Sequence, residues 1–199
     1  MRILGLTGGI ATGKSTCVEL IEVLDPNVVI FDADLCVAQL YRDEAVLSSL
    51  AEIVGSSVLS ESGELDRDYL RRRLFAEESL KEQIQSLVHP LVRKECLASL
   101  DIASKNKRTS SFIADVPLLF EGGFDFGQDA NLVVAVSRKT QVQRLIMRNG
   151  FDDATVHAIL AAQLPISHKE NCADVVLWNE GPKSVLRAQV KRFIENNYQ

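Results

Sequence analysis

Gly8-Gly9-Ile10-Ala11-Thr12-Gly13-Lys14-Ser15 fits the pattern G-x-x-x-x-G-K-[ST], and its reading decides the fold. Glycines let the backbone wrap closely, so that successive N–H groups point into one anion-sized hollow. In this pattern Lys14 reaches the β- and γ-phosphates of a nucleotide, and the Ser15 hydroxyl ligates Mg²⁺. Ile3-Leu4-Gly5-Leu6 reads as a short buried strand running straight into the loop. Cys17, Val18, Leu20, Ile21 and Leu24 then recur at helical spacing, which starts a helix near Lys14 with its N-terminus aimed at the phosphates. Strand, loop and helix come in the order that phosphate binding requires. A nucleotide is therefore expected on Gly8, Gly9 and Ala11 to Thr16, rather than a glycine turn without a ligand.

The rest of the chain bounds what such a loop can serve. Its 199 residues can bury a substantial core, as one domain with one or two inserted subdomains. Apolar content of 46% and charged content of 25% are those of an ordinary globular protein. A net charge of −5 leaves no basic footprint, which argues against a duplex nucleic acid as partner. No apolar run approaches the ~20 residues of a membrane span, and no signal-peptide pattern precedes the first strand. Cys17, Cys36, Cys96 and Cys172 are scattered without a C-x-x-C pair. They read as small buried or half-buried residues in a reducing, cytoplasmic setting, not as a zinc or disulfide framework.

Further apolar strands are expected at Val28–Phe31, Phe112–Val116, Leu132–Val136 and Asp174–Trp178. Helical character dominates from about residue 35 to 108. Leu80, Ile84, Leu87, Val88, Leu91 and Val92 form an apolar stripe that Cys96, Leu97 and Leu100 continue, with a kink or restart expected at Pro90. Thr140–Arg148 and Ala154–Gln163 read as helices. A last helix follows Pro182 and turns Val185, Leu186, Val190, Phe193 and Ile194 to the core. Five apolar strands alternating with amphipathic helices predict an α/β fold whose parallel sheet is covered on both faces. Ligands of such sheets bind at the carboxyl ends of the strands, and the polar residues of interest follow strand ends.

Asp32 and Asp34 come after the second strand. If the chain stays extended there, their side chains point to different sides and only one faces the phosphates; the alternative use of an Asp at this place is to cap the next helix. Asp115 ends the third strand like a Walker-B carboxylate able to hold a metal-bound water; the alternative use of an Asp there is to stabilise the loop that follows. Arg144 and Arg148 share one helix face, and arginine's planar fork suits phosphate oxygens, although most helical arginines are merely solvated. Arg71, Arg72 and Arg73 fan out around a helix and cannot form one flat clamp. His89, in an apolar stripe, reads on its own as a packed or capping histidine; His157 and His168 show no ligand spacing.

As a set the motifs LTGGIATGKST, FDAD, HPLV, DVPLLFE, RLIMR, AAQLP and ADVVLWNEG resemble dephospho-coenzyme A kinase, in order and across essentially the whole chain. The resemblance implies a P-loop fold like that of nucleoside monophosphate kinases. It implies a nucleotide-binding core (1–34, 109–138 and 172–199), a helical acceptor-binding insertion (35–108) and a lid (139–171). It further implies transfer of the ATP γ-phosphoryl group to the ribose 3′-hydroxyl of dephospho-coenzyme A, with Mg²⁺ held through Ser15 and Asp115. Asp34 takes the family's base position, and Asp34, His89, Pro90, Leu118 and Glu121 fall in the acceptor site. Lys14, Arg144 and Arg148 are the cations for the phosphates, and Asn179 and Gly181 lie where adenine is recognised. One departure stands out: many members carry an arginine where this chain has Ile159, which leaves Lys169 as another lid cation able to share that task.

Two rivals remain on the sequence. Another kinase of this fold would act on a nucleoside, nucleotide or sugar, and the acceptor insertion distinguishes it. A nucleotide switch would show N-K-x-D for guanine, which is missing here, and would not need a carboxylate at Asp34. Oligomeric state is not legible, and a monomer is compatible with everything above.

Overall fold

The computed structural model describes residues 1–197, so the last two positions of the 172–199 segment lie outside the described residues. Five strands, β1 (Arg2–Gly8), β2 (Val29–Asp32), β3 (Ser111–Asp115), β4 (Ala130–Ala135) and β5 (Val175–Trp178), form one parallel sheet in the order β2-β3-β1-β4-β5. The strand that delivers the glycine loop is thus central, pairing Leu6 with Asp115 on one side and Leu6 with Leu132 on the other. All five expected strands are present, each displaced by at most two residues at its start.

Both faces of the sheet are covered over β1, β3 and β4, as parallel pairing demands, while Val176 and Trp178 on edge strand β5 are exposed. On one face Leu4, Leu6, Ile113, Leu132, Val134 and Leu177 pack with Cys17, Leu20 and Ile21 of α1 (Lys14–Leu24) and with Leu186 and Val190 of α9 (Lys183–Asn197). On the other face Phe112, Ala114, Val133 and Ala135 are fully buried, and Phe112 meets Phe126 edge-on with ring centroids 6.4 Å apart. Val185, expected in the core, is instead exposed, because α9 turns the adjacent Leu186 inward. At the β5 edge the side-chain amide of Gln189 accepts from Trp178 N at 3.0 Å and donates to Trp178 O at 2.8 Å. One glutamine thereby closes a backbone unit that would otherwise invite another strand.

The chain divides into two compact units, Met1–Phe31 with Ser99–Gln199, and Asp32–Ala98. The second is helical: α2 (Ala33–Leu40), α3 (Glu44–Val54), a 3-10 turn at Ser56–Val58, α4 (Arg67–Ala76) and most of α5 (Glu78–Lys105). Its buried side chains include Val46, Leu50, Val54, Val58, Leu70 and the α5 row Leu80, Ile84, Val88, Val92 and Cys96. That row explains why α5 runs through Pro90 without the expected restart. Each member is worth about 1.5–3 kcal/mol of burial, which outweighs the ~3 kcal/mol cost of one interior proline. Pro90 and Ser86 are both exposed, so the Ser86 carbonyl that loses its donor faces water. Leu97, taken from the sequence as part of the stripe, is 41% exposed because it follows the row by one residue and points away. Cys17, Cys36 and Cys96 are buried as expected, whereas Cys172 is exposed at the C-terminal end of a short helix. No described helix is long and apolar enough to cross a membrane.

Asp32 is the N-cap of α2, with Oδ1 accepting from Leu35 N at 2.9 Å. The chain turns helical at Ala33, so the two aspartates are separated by cap geometry rather than by strand alternation, and Asp34 sits exposed in the helix's first turn. Asp32→Ala is expected to cost about 1 kcal/mol through loss of the cap. It should appear in denaturant titration as a lower midpoint at unchanged m.

Candidate active site

The loop between β1 and α1 is shaped by two left-handed backbone positions, Ala11 (φ 62°) and Gly13 (φ 91°). Gly13 is the N-cap of α1 and gives no side-chain cap, so the first-turn amides are left for a ligand. A Cβ on Gly13 would come within 2.3 Å of Asn179 Nδ2, and one on Gly8 within 2.7 Å of Val134 O, so backbone freedom and close approach both require glycine.

The outward-facing carbonyls of the loop are all matched with donors. Gly8 O accepts from Lys169 Nζ (3.2 Å), Gly9 O from Thr12 Oγ1 (2.8 Å) and Ile10 O from Gln141 Nε2 (2.8 Å). Ala11 O and Thr12 O accept from Arg144 Nη1, each at 3.2 Å, and Thr12 O also from Asn179 Nδ2 at 2.8 Å. Gly13 O accepts from Cys17 N at 3.1 Å. The Ile10 amide is used too, donating to Gln163 Oε1 at 3.0 Å.

Three of these donors lie on segments that follow β4: α6 (Arg138–Asn149), α7 (Asp153–Ala161) and α8 (Ile166–Asn171), the last of which the sequence did not reveal. Arg144 spends its in-plane donors on Ala11, Thr12 and, through Nη2 at 2.8 Å, Asn179 O. These bonds tie the loop to the turn after β5. Arg148, one turn on, is exposed, and its Nε donates to Asn149 Oδ1 at 2.9 Å. Lys169 is fully buried beneath Gly8, not directed to the phosphate side as a lid cation. Ile159, at the position where the resemblance leads one to expect arginine, packs against the cluster of Leu145, Val156 and Leu160, against which the loop's own Ile10 and Ala11 also pack.

Lys14 forms an ion pair with Asp115 across the β1–β3 pair; both side chains are largely buried. Burial, with the Asp115 charge adding to it, pushes the nearby Cys17 thiol up to about 12, so it is an inert packing residue. Ser15 is exposed in the first turn of α1. Its hydroxyl and the Asp115 carboxylate are hard oxygen donors of the kind Mg²⁺ takes when phosphates complete the shell. Among the described residues no group of three or more His, Cys, Asp or Glu side chains could hold a metal ion alone.

Beside the loop opens a cleft of about 580 Å³, lined by Ala11, Gly13 and Thr16, by Arg144 and Arg148 of α6, and by Asn179 and Gly181 beyond β5. Its walls are tied together by Glu180, whose carboxylate accepts from Ser137 N and from Thr140 Oγ1 (2.6 Å) at the start of α6. Glu121 accepts from Lys169 Nζ (2.8 Å) and Leu164 N (3.1 Å), and Leu118 is 39% exposed on the same turn. In the helical unit His89 is half-buried on α5, and burial holds its pKa below the ordinary histidine range, so it is neutral at pH 7; Pro90 is exposed beside it.

A profile of the family described as dephospho-CoA kinase matches residues 2–184. The chain belongs to the dephospho-CoA kinase family. The dephospho-CoA kinase of Bacillus cereus is 34% identical over 195 residues, covering 98% of this chain and 96% of that one. That of Anaeromyxobacter dehalogenans is 37% identical over 194 residues, covering 98% and 91%. Among solved structures, TT1252 from Thermus thermophilus superposes with a TM-score of 0.80 at 28% identity, covering 98% of this chain and 97% of that one. In this chain the D-A-D, H-P-L and P-L-L-F-E motifs lie at the β2–α2 junction, on α5 and on the turn after β3.

The hydrogen bonds from Thr140 and Ser137 hold the Glu180 carboxyl down at about 2, against an ordinary value of 4.5. A depressed acid contributes stability that is fully present above the unfolded value and lost as pH falls through the folded one. Thermal unfolding of wild type against Glu180→Gln should therefore converge between pH 4.5 and about 2 and stay separated above that window.

Proposed function

We propose that this chain transfers the γ-phosphoryl group of ATP to the ribose 3′-hydroxyl of dephospho-coenzyme A, giving coenzyme A and ADP, the closing step of coenzyme A synthesis. The observation that carries the reading is a complete phosphate loop in a chain whose match to this family runs from residue 2 to 184. The triphosphate occupies the first-turn amides of α1 and the loop hollow. Lys14 exchanges its ion pair with Asp115 for the β- and γ-oxygens, as a cation on the moving charge requires. Ser15 and Asp115 would hold Mg²⁺, which would supply positive charge against the phosphates.

Adenine fits the cleft against Arg144. Three of Arg144's in-plane N–H groups are engaged by carbonyls, and the planar guanidinium face suits stacking on a base. Arg148 is then the α6 arginine available to the triphosphate. Asp34 is assigned as the base by its place in F-D-A-D. A ribose hydroxyl is barely acidic, so Asp34 orients it and takes the proton late, instead of ionising it beforehand. His89 and Pro90, with Leu118, are assigned to acceptor binding, and the 139–171 region to a lid that excludes water from the transfer. A cytoplasmic setting fits the reaction's substrates.

Mass spectrometry of products formed with Mg²⁺–ATP should show dephospho-coenzyme A gaining one phosphate in step with ADP. A higher kcat/KM for adenosine, a nucleoside monophosphate or a sugar would transfer the assignment to another kinase of this fold. Asp34→Asn keeps size and one acceptor oxygen but cannot take the proton; kcat should fall about 10²–10⁴-fold while calorimetric ATP affinity changes little. A kcat within threefold of wild type would remove Asp34 from the base role.

A further inference from the structure

Among the described residues Lys169 is one of the largest side chains to be fully buried, and it is the one charged residue of that set. Its ammonium has three protons and three oxygens around it: Gly8 O at 3.2 Å, Pro117 O at 3.1 Å and Glu121 Oε1 at 2.8 Å. A buried cation is tolerated only when its donors are matched in this way. The three acceptors come from two segments far apart in sequence. Gly8 ends β1 and begins the phosphate loop, whereas Pro117 and Glu121 lie on the turn after β3. Pro117 O also accepts from Thr7 Oγ1 at 3.0 Å, next to Gly8 in the chain. Glu121 Oε1 in turn accepts from Leu164 N, whose neighbour Gln163 accepts from the Ile10 amide at the loop's crest. Lys169 thus sits at the junction of the loop's first peptide, the post-β3 turn and the segment joining α7 to α8.

We infer that Lys169, with Glu121 as its counterion, is a positioning residue for ATP: it fixes the Gly8 carbonyl outward and so holds the loop in its anion-receiving shape before nucleotide arrives. The inference rests on the kinase reading for its ligand, but not on the acceptor. An outward carbonyl at Gly8 sets the direction of the Gly8–Gly9 peptide, and rotation of that peptide would turn an oxygen toward the phosphates. Hydrogen bonds to a charged donor are stronger than neutral ones, so Lys169 does more here than a buried amide or hydroxyl would. Lys169 does not touch the nucleotide. Its effect is on the cost of organising the loop, which is paid at ATP binding and not at phosphoryl transfer.

The test separates ATP binding from the rest of the reaction. Lys169→Met removes the donor at similar volume but strands a buried carboxylate, and Lys169→Met with Glu121→Gln removes that charge as well. Calorimetry with ATP alone, without acceptor, should show Kd raised about tenfold or more in the double variant, as expected for losing a charged hydrogen bond at a preorganised site. The KM for ATP should rise in parallel with kcat at saturating ATP changed much less, and the KM for the acceptor, read in Lys169→Met because that variant keeps Glu121, should change much less than the KM for ATP. A merely structural lysine would lower the unfolding temperature without this split. An ATP Kd within twofold of wild type, a change confined to the acceptor KM, or failure of both variants to fold would each overturn the inference. If the wild type binds ATP but phosphorylates some other acceptor, the functional reading falls while the calorimetric arm still decides the role of Lys169.

Discussion

A loop that turns its N–H groups toward an anion turns its carbonyls the other way, and every one of those carbonyls needs a donor. The architecture follows from that requirement. Carbonyls 8 through 13 are satisfied by Lys169, Thr12, Gln141, Arg144, Asn179 and Cys17. Two of these donors are local and four come from residues 131 or more positions away in sequence, brought to the loop by α6, α8 and the turn after β5. A loop held from behind in this way pays little to order itself on its ligand, which is the condition for tight triphosphate binding.

Rigidity of the sheet makes the arrangement possible. β1 lies between β3 and β4, with Leu4 and Leu6 packed against α1 and α9, so the strand that ends in the loop cannot shift without disturbing the core. A smaller apolar cluster of Leu145, Val156 and Leu160 packs against Ile10 and Ala11 themselves. The same segments that donate to the loop's carbonyls thus also cover its apolar crest. Ile159 belongs to this cluster, and its apolar side chain is consistent with a position serving packing in this chain.

Corrections to the sequence reading share one cause, which is that partners distant in the chain are invisible to local pattern. Arg144 was a phosphate cation through the family resemblance, and only the fold brings three backbone carbonyls to it. Lys169 entered as a lid cation through the departure at Ile159, and only the fold buries it against Gly8 O. Asp32 and Asp34 were separated by an alternation argument, whereas an N-cap begins a helix between them. Pro90 signalled a break that a row of buried residues on the opposite side of α5 overrides. Helix α8 carries too few apolar residues for a periodic signal, and its one decisive side chain is a lysine.

The sequence by itself determined the parallel α/β class, the strand positions and the phosphate loop. These depend on local chemistry: apolar runs long enough for buried strands, and glycines where the backbone needs left-handed angles. It also carried the family, since FDAD, HPLV and DVPLLFE appear in order. Tertiary structure alone decided which polar groups face ligand and which face the loop's carbonyls. Hydrogen bonding and desolvation are satisfied by whatever the fold brings within about 3 Å, and nothing in a helix's residue spacing says that Gly8 O lies opposite Lys169 or that Glu121 turns toward it.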